Sequence, residues 1–449
     1  MSLCVIDCET RAHRIKFSDA GFLAAADVVK DSFIAPEIDG ARLWRRHLAM
    51  AEIGATPKGG VNRLALTAED ARARALLLDW AEDEGLRCAI DMAGNMFFRY
   101  GEDAREPAPV LTGSHIDTEP TGGRFDGVFG VLAGFEAIGA IARGNPGLAR
   151  LIDLVVWTNE EGCRFEPGCM GSSAYCHPSS LPAILATTDE EGVCFADALS
   201  SLLKELPQLP SRDMGRAPKA YVEAHIEQGP LLERLGATIG VVTGIQGSRR
   251  YSVIVKGEAA HAGTVPNSMR KDALFCAIDL IKKLQILFYD STDTVRFTIG
   301  RLNVVPNSPS VVPGEVSFTI DFRHPDRAVL EDIGSQVARV CQENRGVCEV
   351  AVKEIISVAP VEFPLAMLEL ISGAAERLGL RWERLPSGAG HDARNVAQIA
   401  TTGMIFVPCH LGISHNEAES ATPSDLTAGT QVLAEVLVSL AETVGIPSR

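Results

Sequence analysis

The chain has 449 residues, of which 46% are hydrophobic and 22% charged, and its formal net charge is −16. This length exceeds what one hydrophobic core usually serves, so two domains are expected. The negative charge argues against a nucleic acid or an anionic membrane as partner, because either would require a basic face.

The cysteines and the apolar segments predict the subcellular location of the protein. The chain has 11 Cys without a CxxC pair, which is typical of reduced thiols in a cytoplasmic protein. It has no run of about eighteen apolar residues, as a membrane span would need. The first residues also lack the basic and apolar regions of a secretory signal. We therefore expect a cytoplasmic protein without a membrane partner.

The first half of the chain alternates predicted helices with predicted strands. Residues 1–36 lack periodicity and are interpreted as an N-terminal extension. The segment TAEDARARALLLDWAEDEG is helical in pattern, with Thr67 as its predicted N-cap. The other predicted elements are ARLWRRHLAMAEIG (helix), CAIDMAGNMFFRYG (hairpin), APVLTGSHID (strand), VFGVLAGFEAIGAIAR (helix) and LIDLVVWTNEEG (buried strand). This alternation predicts an α/β core around a largely parallel sheet.

The pattern changes after Gly240. The segments GSRRYSVIVKGEAAHAG and VSFTIDFRHP alternate polar with apolar residues, which is typical of a sheet with one solvated face. Together with the helices and strands around them they give the order β–α–β–β–α–β of a ferredoxin-like module. We therefore predict an α/β domain at 37–243 and 359–449, interrupted by an inserted domain at 244–358.

Metal-ligand types of side chain follow the predicted strands. His115 and Asp117 point to the same side of a strand because they are two residues apart, and Asp126 follows on a glycine-rich loop. Open α/β sheets place their sites at the carboxyl ends of their strands. A single His or Glu there is usually structural, but several at equivalent positions predict a cation site. The remaining candidates are Glu160, Glu161, His225 and His415.

A series of motifs resembles the hydantoinase/carbamoylase branch of the M20 amidohydrolase family, in order and from about Ile38 onward. The motifs are GSHIDT…GGRFDGVFGV, TNEEGCRF, EAHIEQGPLLE, GEAAHAGT, SGAGHDA and GISHNEAE. The resemblance implies a two-domain α/β enzyme, with a di-metal catalytic domain and an inserted ferredoxin-like lid or dimerisation domain. It therefore also implies a homodimer.

The resemblance implies two divalent metal ions per subunit. His115, Asp126 and His225 would hold one ion, and Asp126, Glu161 and His415 the other, so that Asp126 bridges them. Imidazoles and carboxylates suit Zn²⁺ first, with Mn²⁺, Co²⁺ or Ni²⁺ as alternatives, and three protein ligands leave positions open for water.

The resemblance also implies catalytic and substrate-binding roles. Glu160 resembles the general base of the family, and Asp117 resembles the carboxylate that orients His115. From the inserted domain, His261 would stabilise the tetrahedral oxyanion, and Arg323 would clamp the substrate's α-carboxylate. The positions that line the substrate pocket in the family correspond here to Gln228, Arg250 and Gly390.

One position departs from the family pattern. The family usually has NVIPG before the arginine strand, with the Asn binding the carboxylate, whereas this chain has PSVVPG and places Ser310 there. Serine reaches less far than asparagine, and the nearby Asn307 is the candidate to compensate. This departure leaves the choice of carbamoyl substrate open.

The resemblance implies hydrolysis of a linear, non-peptide C–N bond. The first predicted substrate is an N-carbamoyl amino acid, which would be hydrolysed to the amino acid, ammonia and CO₂. Allantoate amidohydrolase and β-ureidopropionase are the alternatives, because the same machinery serves all three reactions. More distant alternatives are an N-acyl-amino-acid hydrolase or dipeptidase, and a non-catalytic metal-binding protein on the same fold.

Overall fold

The structure is a computed structural model that describes residues 36–101 and 107–444. The predicted extension at 1–36 lies outside the described residues except for its last residue. The strands are β1 (Leu86–Ile90), β2 (Met96–Tyr100), β3 (Val110–His115), β4 (Ile152–Trp157), β5 (Ala220–Ile226), β6 (Ile239–Ile245), β7 (Gly247–Lys256), β8 (Ala260–His261), β9 (Arg296–Thr298), β10 (Leu302–Val305), β11 (Val311–Val312), β12 (Glu315–His324), β13 (Glu349–Val358), β14 (Val361–Glu362), β15 (Trp382–Ser387) and β16 (Thr401–Val407). The helices are α1 (Gly40–Ala51), α2 (Ala68–Asp83), α3 (Val128–Gly144), α4 (Pro146–Ala149), α5 (Met170–Cys176), α6 (Leu181–Leu185), α7 (Phe195–Glu205), α8 (Leu231–Leu235), α9 (Ala273–Leu287), α10 (Arg327–Glu343), α11 (Leu365–Arg377), α12 (Ala393–Val396) and α13 (Pro423–Val444).

The larger sheet is mixed rather than largely parallel, which corrects the prediction. Among the described residues its order is β1-β2-β4-β3-β5-β16-β6-β14, with β15 also paired to β6. Strands β4, β3, β5 and β16 run parallel in its centre. The pairs β1–β2, β2–β4, β16–β6 and β14–β6 are antiparallel. The short turn between β1 and β2 explains one of these pairs, because parallel strands need a long crossover.

The centre of this sheet is the core of the larger domain. Every residue of β3, β4 and β5 is buried, which confirms the apolar pattern of β4. Helix α3 packs against β3 and β5 and contacts α13. Thr67 caps α2 as predicted, since its side chain accepts a hydrogen bond from the Asp70 N–H at 3.4 Å.

The smaller sheet lies between Gly247 and Val358, within the predicted inserted domain. Its order is β10-β12-β7-β13, with β9 paired to β12, and all of its pairs are antiparallel. With α9 after β7 and α10 after β12, the order β–α–β–β–α–β is confirmed. The segment DTVRFTIGRLNVVP forms two strands, β9 and β10, one on each side of Gly300. The domain bounds themselves stay a prediction.

The smaller sheet buries one face only. Strand β12 alternates buried and half-buried residues along its whole length, as its period-2 pattern predicts. The buried side chains pack with those of α9 and α10 around Phe318, Val253 and Leu280. In the described ranges no helix is long and apolar enough to cross a membrane.

Candidate metal centre

Parallel strands of the larger sheet bring the predicted ligands to one edge. Strand β3 ends at His115, and β5 carries His225 one residue before its end. Glu160 and Glu161 follow β4, and His415 follows β16 after a short loop. Because the carboxyl ends of parallel strands meet at the same edge, side chains from four distant segments lie close together.

Asp126 lies in the middle of this group. Its Oδ1 is 3.1 Å from His225 Nε2 and 3.7 Å from His115 Nε2. Its Oδ2 is 3.3 Å from His415 Nε2, which in turn is 3.6 Å from Glu161 Oε2. Two sets of donors therefore share Asp126, and within each set all ligand atoms lie within 4.8 Å of one another. We call these two sets the donor group.

The donor group fits divalent cations by its chemistry. Both buried imidazoles hold their Nδ1 against a main-chain carbonyl at 2.9 Å, His115 against Asp117 and His225 against Ile226. In the neutral form of each ring the electron pair that a metal ion needs is therefore on Nε2. Imidazole nitrogen combined with carboxylate oxygen is a ligand set that Zn²⁺ and Mn²⁺ accept.

Buried carboxylates crowd the same edge of the sheet. Burial, together with the charge of Asp392, raises the pKa of Glu160 well above its usual value. Burial and the charge of Asp126 raise the pKa of Glu161 in the same way, and burial raises the pKa of Asp117 to about 7. A divalent cation held by the donor group would relieve this mutual repulsion.

Asp126 differs from these neighbouring carboxylates, because its surroundings favour its ionised form. Burial opposes its charge, but hydrogen bonds with His225 and His415 keep its pKa well below the ordinary range. Burial lowers the pKa of His115 to about 4. For His225 burial acts in the same direction, but the hydrogen bond to Asp126 outweighs it and raises the pKa to about 9. The negative charge of the donor group is therefore centred on Asp126.

The contacts of Asp117 differ from the prediction. Its carboxylate oxygens accept hydrogen bonds from the backbone N–H groups of Glu160 and Glu161, both at 3.2 Å. The Nδ1 of His115 is bonded to the main-chain carbonyl of Asp117, while the nearest carboxylate oxygen is 3.8 Å away. Asp117 thus fixes the peptides of the two glutamates with its side chain and the ring of His115 with its backbone.

Unusual backbone conformations surround the donor group. Gly127 has a φ of 65°, and a Cβ on it would lie 2.3 Å from the ring of His115. Non-glycine residues with left-handed backbone also flank the site, and such residues concentrate at functional sites. These residues are Asn159 (φ 57°), Cys169 (φ 55°), Gln228 (φ 56°) and His415 (φ 53°).

Several polar residues that hold the donor group were missed by sequence reasoning. Glu419 Oε1 accepts hydrogen bonds from the N–H of Asp126 at 3.2 Å and of the preceding residue at 2.8 Å. Ser414 Oγ donates to Asp126 Oδ2 at 3.1 Å and to Glu419 at 3.0 Å. Glu119 lies 3.3 Å from Nδ1 of His415. Glu419 and Ser414 belong to GISHNEAE, so the motif that predicted His415 carried a signal for both.

A buried polar layer lies behind His225. The ring of His391 is 4.5 Å from the ring of His225, and its Nε2 is 2.8 Å from Ser387 Oγ. Glu223, which is fully buried, accepts a hydrogen bond from Ser114 Oγ at 2.7 Å. His391 belongs to the quoted motif SGAGHDA, for which the sequence predicted only a pocket-lining glycine.

The predicted substrate residues are not equally close to the donor group. Gln228 joins it, because its Nε2 donates to Asp126 Oδ2 at 2.8 Å. Arg323 reaches from the smaller sheet to the larger domain, where its Nη1 donates to the Gly388 carbonyl at 2.8 Å. Arg250 binds Asp321 on its own sheet.

The other predicted substrate residues are exposed. In the part of the chain that the structure describes, His261, Asn307 and Ser310 make no hydrogen bond or ion pair with the donor group. Gly390 faces open space, since a Cβ on it would have no other heavy atom within 4 Å. The structure therefore brings together the predicted metal ligands and Gln228, and leaves His261, Asn307 and Ser310 apart from them.

Comparisons with known proteins show which family the chain belongs to. The sequence profile of peptidase family M20/M25/M40 matches residues 111–439. The chain is 38% identical over 415 residues to the N-carbamoyl-L-amino-acid amidohydrolase of Rhizobium meliloti, covering 91% of this chain and 98% of that protein. It is 34% identical over 400 residues to the allantoate amidohydrolase of Escherichia coli strain K12, covering 87% and 96%. A solved hydantoinase/carbamoylase-family amidase from Burkholderia multivorans is similar with a TM-score of 0.84 and 42% identity, covering 91% and 99%.

Proposed function

Because the chain belongs to peptidase family M20/M25/M40, as an amidohydrolase of the hydantoinase/carbamoylase branch, we propose that it hydrolyses N-carbamoyl amino acids. In this reaction water adds to the carbamoyl carbon, the bond to the amino nitrogen breaks, and the products are the amino acid, ammonia and CO₂. The observation that carries the proposal is the sharing of Asp126 between two donor sets, with Glu160 beside them.

The donor group is proposed to hold two divalent ions, Zn²⁺ first and Mn²⁺, Co²⁺ or Ni²⁺ as alternatives. His115, Asp126 and His225 would hold one ion, and Asp126, Glu161 and His415 the other. When bound, such ions polarise a carbonyl oxygen and lower the pKa of water. Asp117 and Glu419 keep the ligand-bearing backbone in place through the hydrogen bonds described above.

Glu160 is the proposed general base. Its Oε2 lies 3.5 Å from His115 Nε2, at the rim of the donor group, and its Oε1 accepts a hydrogen bond from the Cys169 thiol at 3.5 Å. A carboxylate with a raised pKa is a better base near neutral pH. Glu160 would take a proton from the attacking water and return it to the leaving nitrogen.

His261 and Arg323 are proposed to bind the substrate. The Nδ1 of His261 accepts hydrogen bonds from the N–H groups of Gly263 at 3.0 Å and Thr264 at 3.2 Å. The neutral ring therefore has its proton on Nε2, from which it can donate to an oxyanion. The planar guanidinium of Arg323 suits a carboxylate. The other proposed pocket residues are Gln228, Arg250, Asn307, Ser310 and Gly390.

We also propose residues 244–358 as the lid and dimerisation domain, with a second copy of this chain as partner. Helix α9 and the residues just after it expose large apolar side chains, with Phe275 66%, Ile286 70% and Tyr289 79% exposed. A row of such side chains is expected to be covered in the assembled protein. The cytoplasmic location stays a prediction, supported by the free thiols of the described cysteines.

Allantoate is the second candidate substrate. The relative named allantoate amidohydrolase is nearly as similar to this chain as the N-carbamoyl-amino-acid relatives. Allantoate also has a carboxylate next to a ureido group, so it would use Arg323 and the donor group in the same way. N-carbamoyl-β-alanine has one more carbon atom between the ureido group and the carboxylate than the first candidate has.

A substrate panel tests the proposed function. The metal-loaded protein is incubated with N-carbamoyl-L-amino acids, N-carbamoyl-β-alanine, allantoate, N-acetyl amino acids and dipeptides. We expect ammonia release with the highest kcat/KM for an N-carbamoyl-L-amino acid. A higher kcat/KM for allantoate or for an acyl substrate would replace the proposed substrate, and no turnover of any compound would overturn the proposed function.

A further inference from the structure

Asp321 joins two arginines on the uncovered face of the smaller sheet. Its Oδ2 accepts hydrogen bonds from Arg250, from Nη2 at 2.7 Å and from Nε at 3.0 Å. Its Oδ1 accepts one from Nε of Arg323 at 3.2 Å. Ile320 and Phe322, which alternate with Asp321 and Arg323 along β12, are buried in the core. Asp321 and Arg323 therefore point to the opposite face of the sheet.

Strand register fixes this arrangement, which we call the Arg250–Asp321–Arg323 triad. Arg250 of β7 is directly opposite Asp321 of β12, and Arg323 is two residues further along β12. Directly opposite residues have their side chains within easy reach of each other. The triad therefore depends on the pairing of two central strands rather than on a flexible loop.

The triad is connected to the donor group by a series of contacts through the loop after β15. Nη1 of Arg323 donates to the carbonyl of Gly388 at 2.8 Å. Gly388 follows Ser387, whose hydroxyl is bonded to His391, and the ring of His391 packs on that of His225. Within the described residues Nη2 of Arg323 makes no hydrogen bond, so it is available to a ligand at this position.

The charges of the triad match a single carboxylate. Two guanidinium groups and one carboxylate leave one net positive charge. Asp321 alone would neutralise Arg323, and Arg250 restores the charge that a substrate anion needs. A long arginine side chain also loses rotamer freedom when it binds a carboxylate, and a bond that fixes it beforehand reduces this loss.

We propose that Asp321 is a positioning residue for the substrate's carboxylate, and that it holds the guanidinium of Arg323 with the help of Arg250. The proposal rests on the proposed function, because it takes Arg323 as the group that binds the carboxylate. Among the described residues Asp321 makes no hydrogen bond or ion pair with the donor group. It therefore affects the binding of carboxylate substrates and leaves the hydrolytic step unchanged.

The test compares Asp321→Asn with a matched control, Glu354→Gln. Glu354 belongs to the same sheet and accepts a hydrogen bond at 2.5 Å from Nε of Arg249, the residue that precedes Arg250 in β7. With the metal-loaded enzyme and its best N-carbamoyl amino acid, Asp321→Asn should raise KM about tenfold and change kcat less than about threefold. Glu354→Gln should change neither, and Asp321→Glu should recover part of the affinity.

A substrate without the carboxylate separates positioning from general damage. The amide of the same N-carbamoyl amino acid should give equal kcat/KM with the wild type and Asp321→Asn. The positioning role alone would be overturned by either of two results. One is that Asp321→Asn lowers kcat/KM equally for the acid and for the amide. The other is that the KM of Asp321→Asn for the acid equals that of Glu354→Gln. A wild type that hydrolyses no carbamoyl or ureido compound would overturn the proposed function and this inference with it.

Discussion

Asp126 connects both halves of the donor group. One of its oxygens faces His225 and the other faces His415, while Ser414 and Gln228 donate hydrogen bonds to the second oxygen. Removal of this side chain takes a ligand from both proposed ions, whereas removal of Glu161 takes a ligand from one. Asp126 is therefore the residue on which the proposed centre most depends.

Glu160→Gln separates catalysis from metal binding. Glutamine has the same shape as glutamate but cannot take a proton from water. We expect kcat to fall by about 10²–10⁴-fold, the range for loss of a general base, with unchanged metal content. Both quantities are measured on the same sample, by ammonia release and by elemental analysis.

Glu161→Gln is the matched comparison at the neighbouring position. It should lose metal together with turnover, because Glu161 is a proposed ligand 3.6 Å from His415. If Glu160→Gln loses metal and Glu161→Gln does not, the roles of the two glutamates are the reverse of those proposed.

At the scale of elements, the glycine loop between β3 and α3 determines how closely Asp126 approaches the histidines. Gly127→Ala would place a Cβ 2.3 Å from the His115 ring, at a φ of 65° that alanine rarely adopts. We expect the free energy of unfolding to fall by about 1–3 kcal/mol. Metal content should fall as well, and urea unfolding with elemental analysis measures both effects.

Gly144→Ala is the control for this prediction. Gly144 ends α3, its φ is not left-handed, and a Cβ on it would have no other heavy atom within 4 Å. It should leave metal content unchanged and alter stability by less than about 1 kcal/mol. Equal effects of the two substitutions would show that the close approach at Gly127 does not matter.

The elements with strong local patterns were predictable from the sequence. The cap at Thr67, the all-apolar β4 and the alternation of β12 each follow from residue type and spacing. The mixed sheet was not predictable, because the local sequence of β6, IGVVTGI, does not determine which strands pair with it or whether they run parallel or antiparallel to it. That choice depends on contacts with β14, β15 and β16, which are far away in the chain.

The residues of the candidate site were predictable where they belong to a family motif. They were not predictable where their role depends on a hydrogen-bond partner that is far away in the sequence. The resemblance located His115, Asp126, His225 and His415 by their motifs. It did not locate Asp321, whose partner Arg250 is 71 residues away, or Glu419, which is 293 residues from Asp126. No local spacing reveals that such pairs meet.

At the scale of the whole molecule, the exposed face of α9 predicts the oligomeric state. The double substitution Phe275→Glu with Ile286→Glu places two charges in the proposed contact, and burying them unpaired is costly. We expect the wild type to sediment as a dimer and the double variant as a folded monomer. Analytical ultracentrifugation and circular dichroism measure these outcomes.

Met92→Glu is the control for the dimer. Met92 is 63% exposed in the turn between β1 and β2, and β1 is at the opposite edge of the larger sheet from β14, so the variant should remain dimeric. A wild type that sediments as a monomer, or a double variant that remains dimeric, would contradict α9 as the contact face.

The most direct test of the account is the metal content of the wild type and of Asp126→Ala. Both proteins are purified, stripped with a chelator and reconstituted with Zn²⁺, and bound metal is counted by elemental analysis alongside turnover. We predict two ions per wild-type chain, activity lost on chelation and restored by the metal, and an Asp126→Ala protein with fewer ions and no turnover. An Asp126→Ala protein that matches the wild type in metal content and turnover would contradict the account.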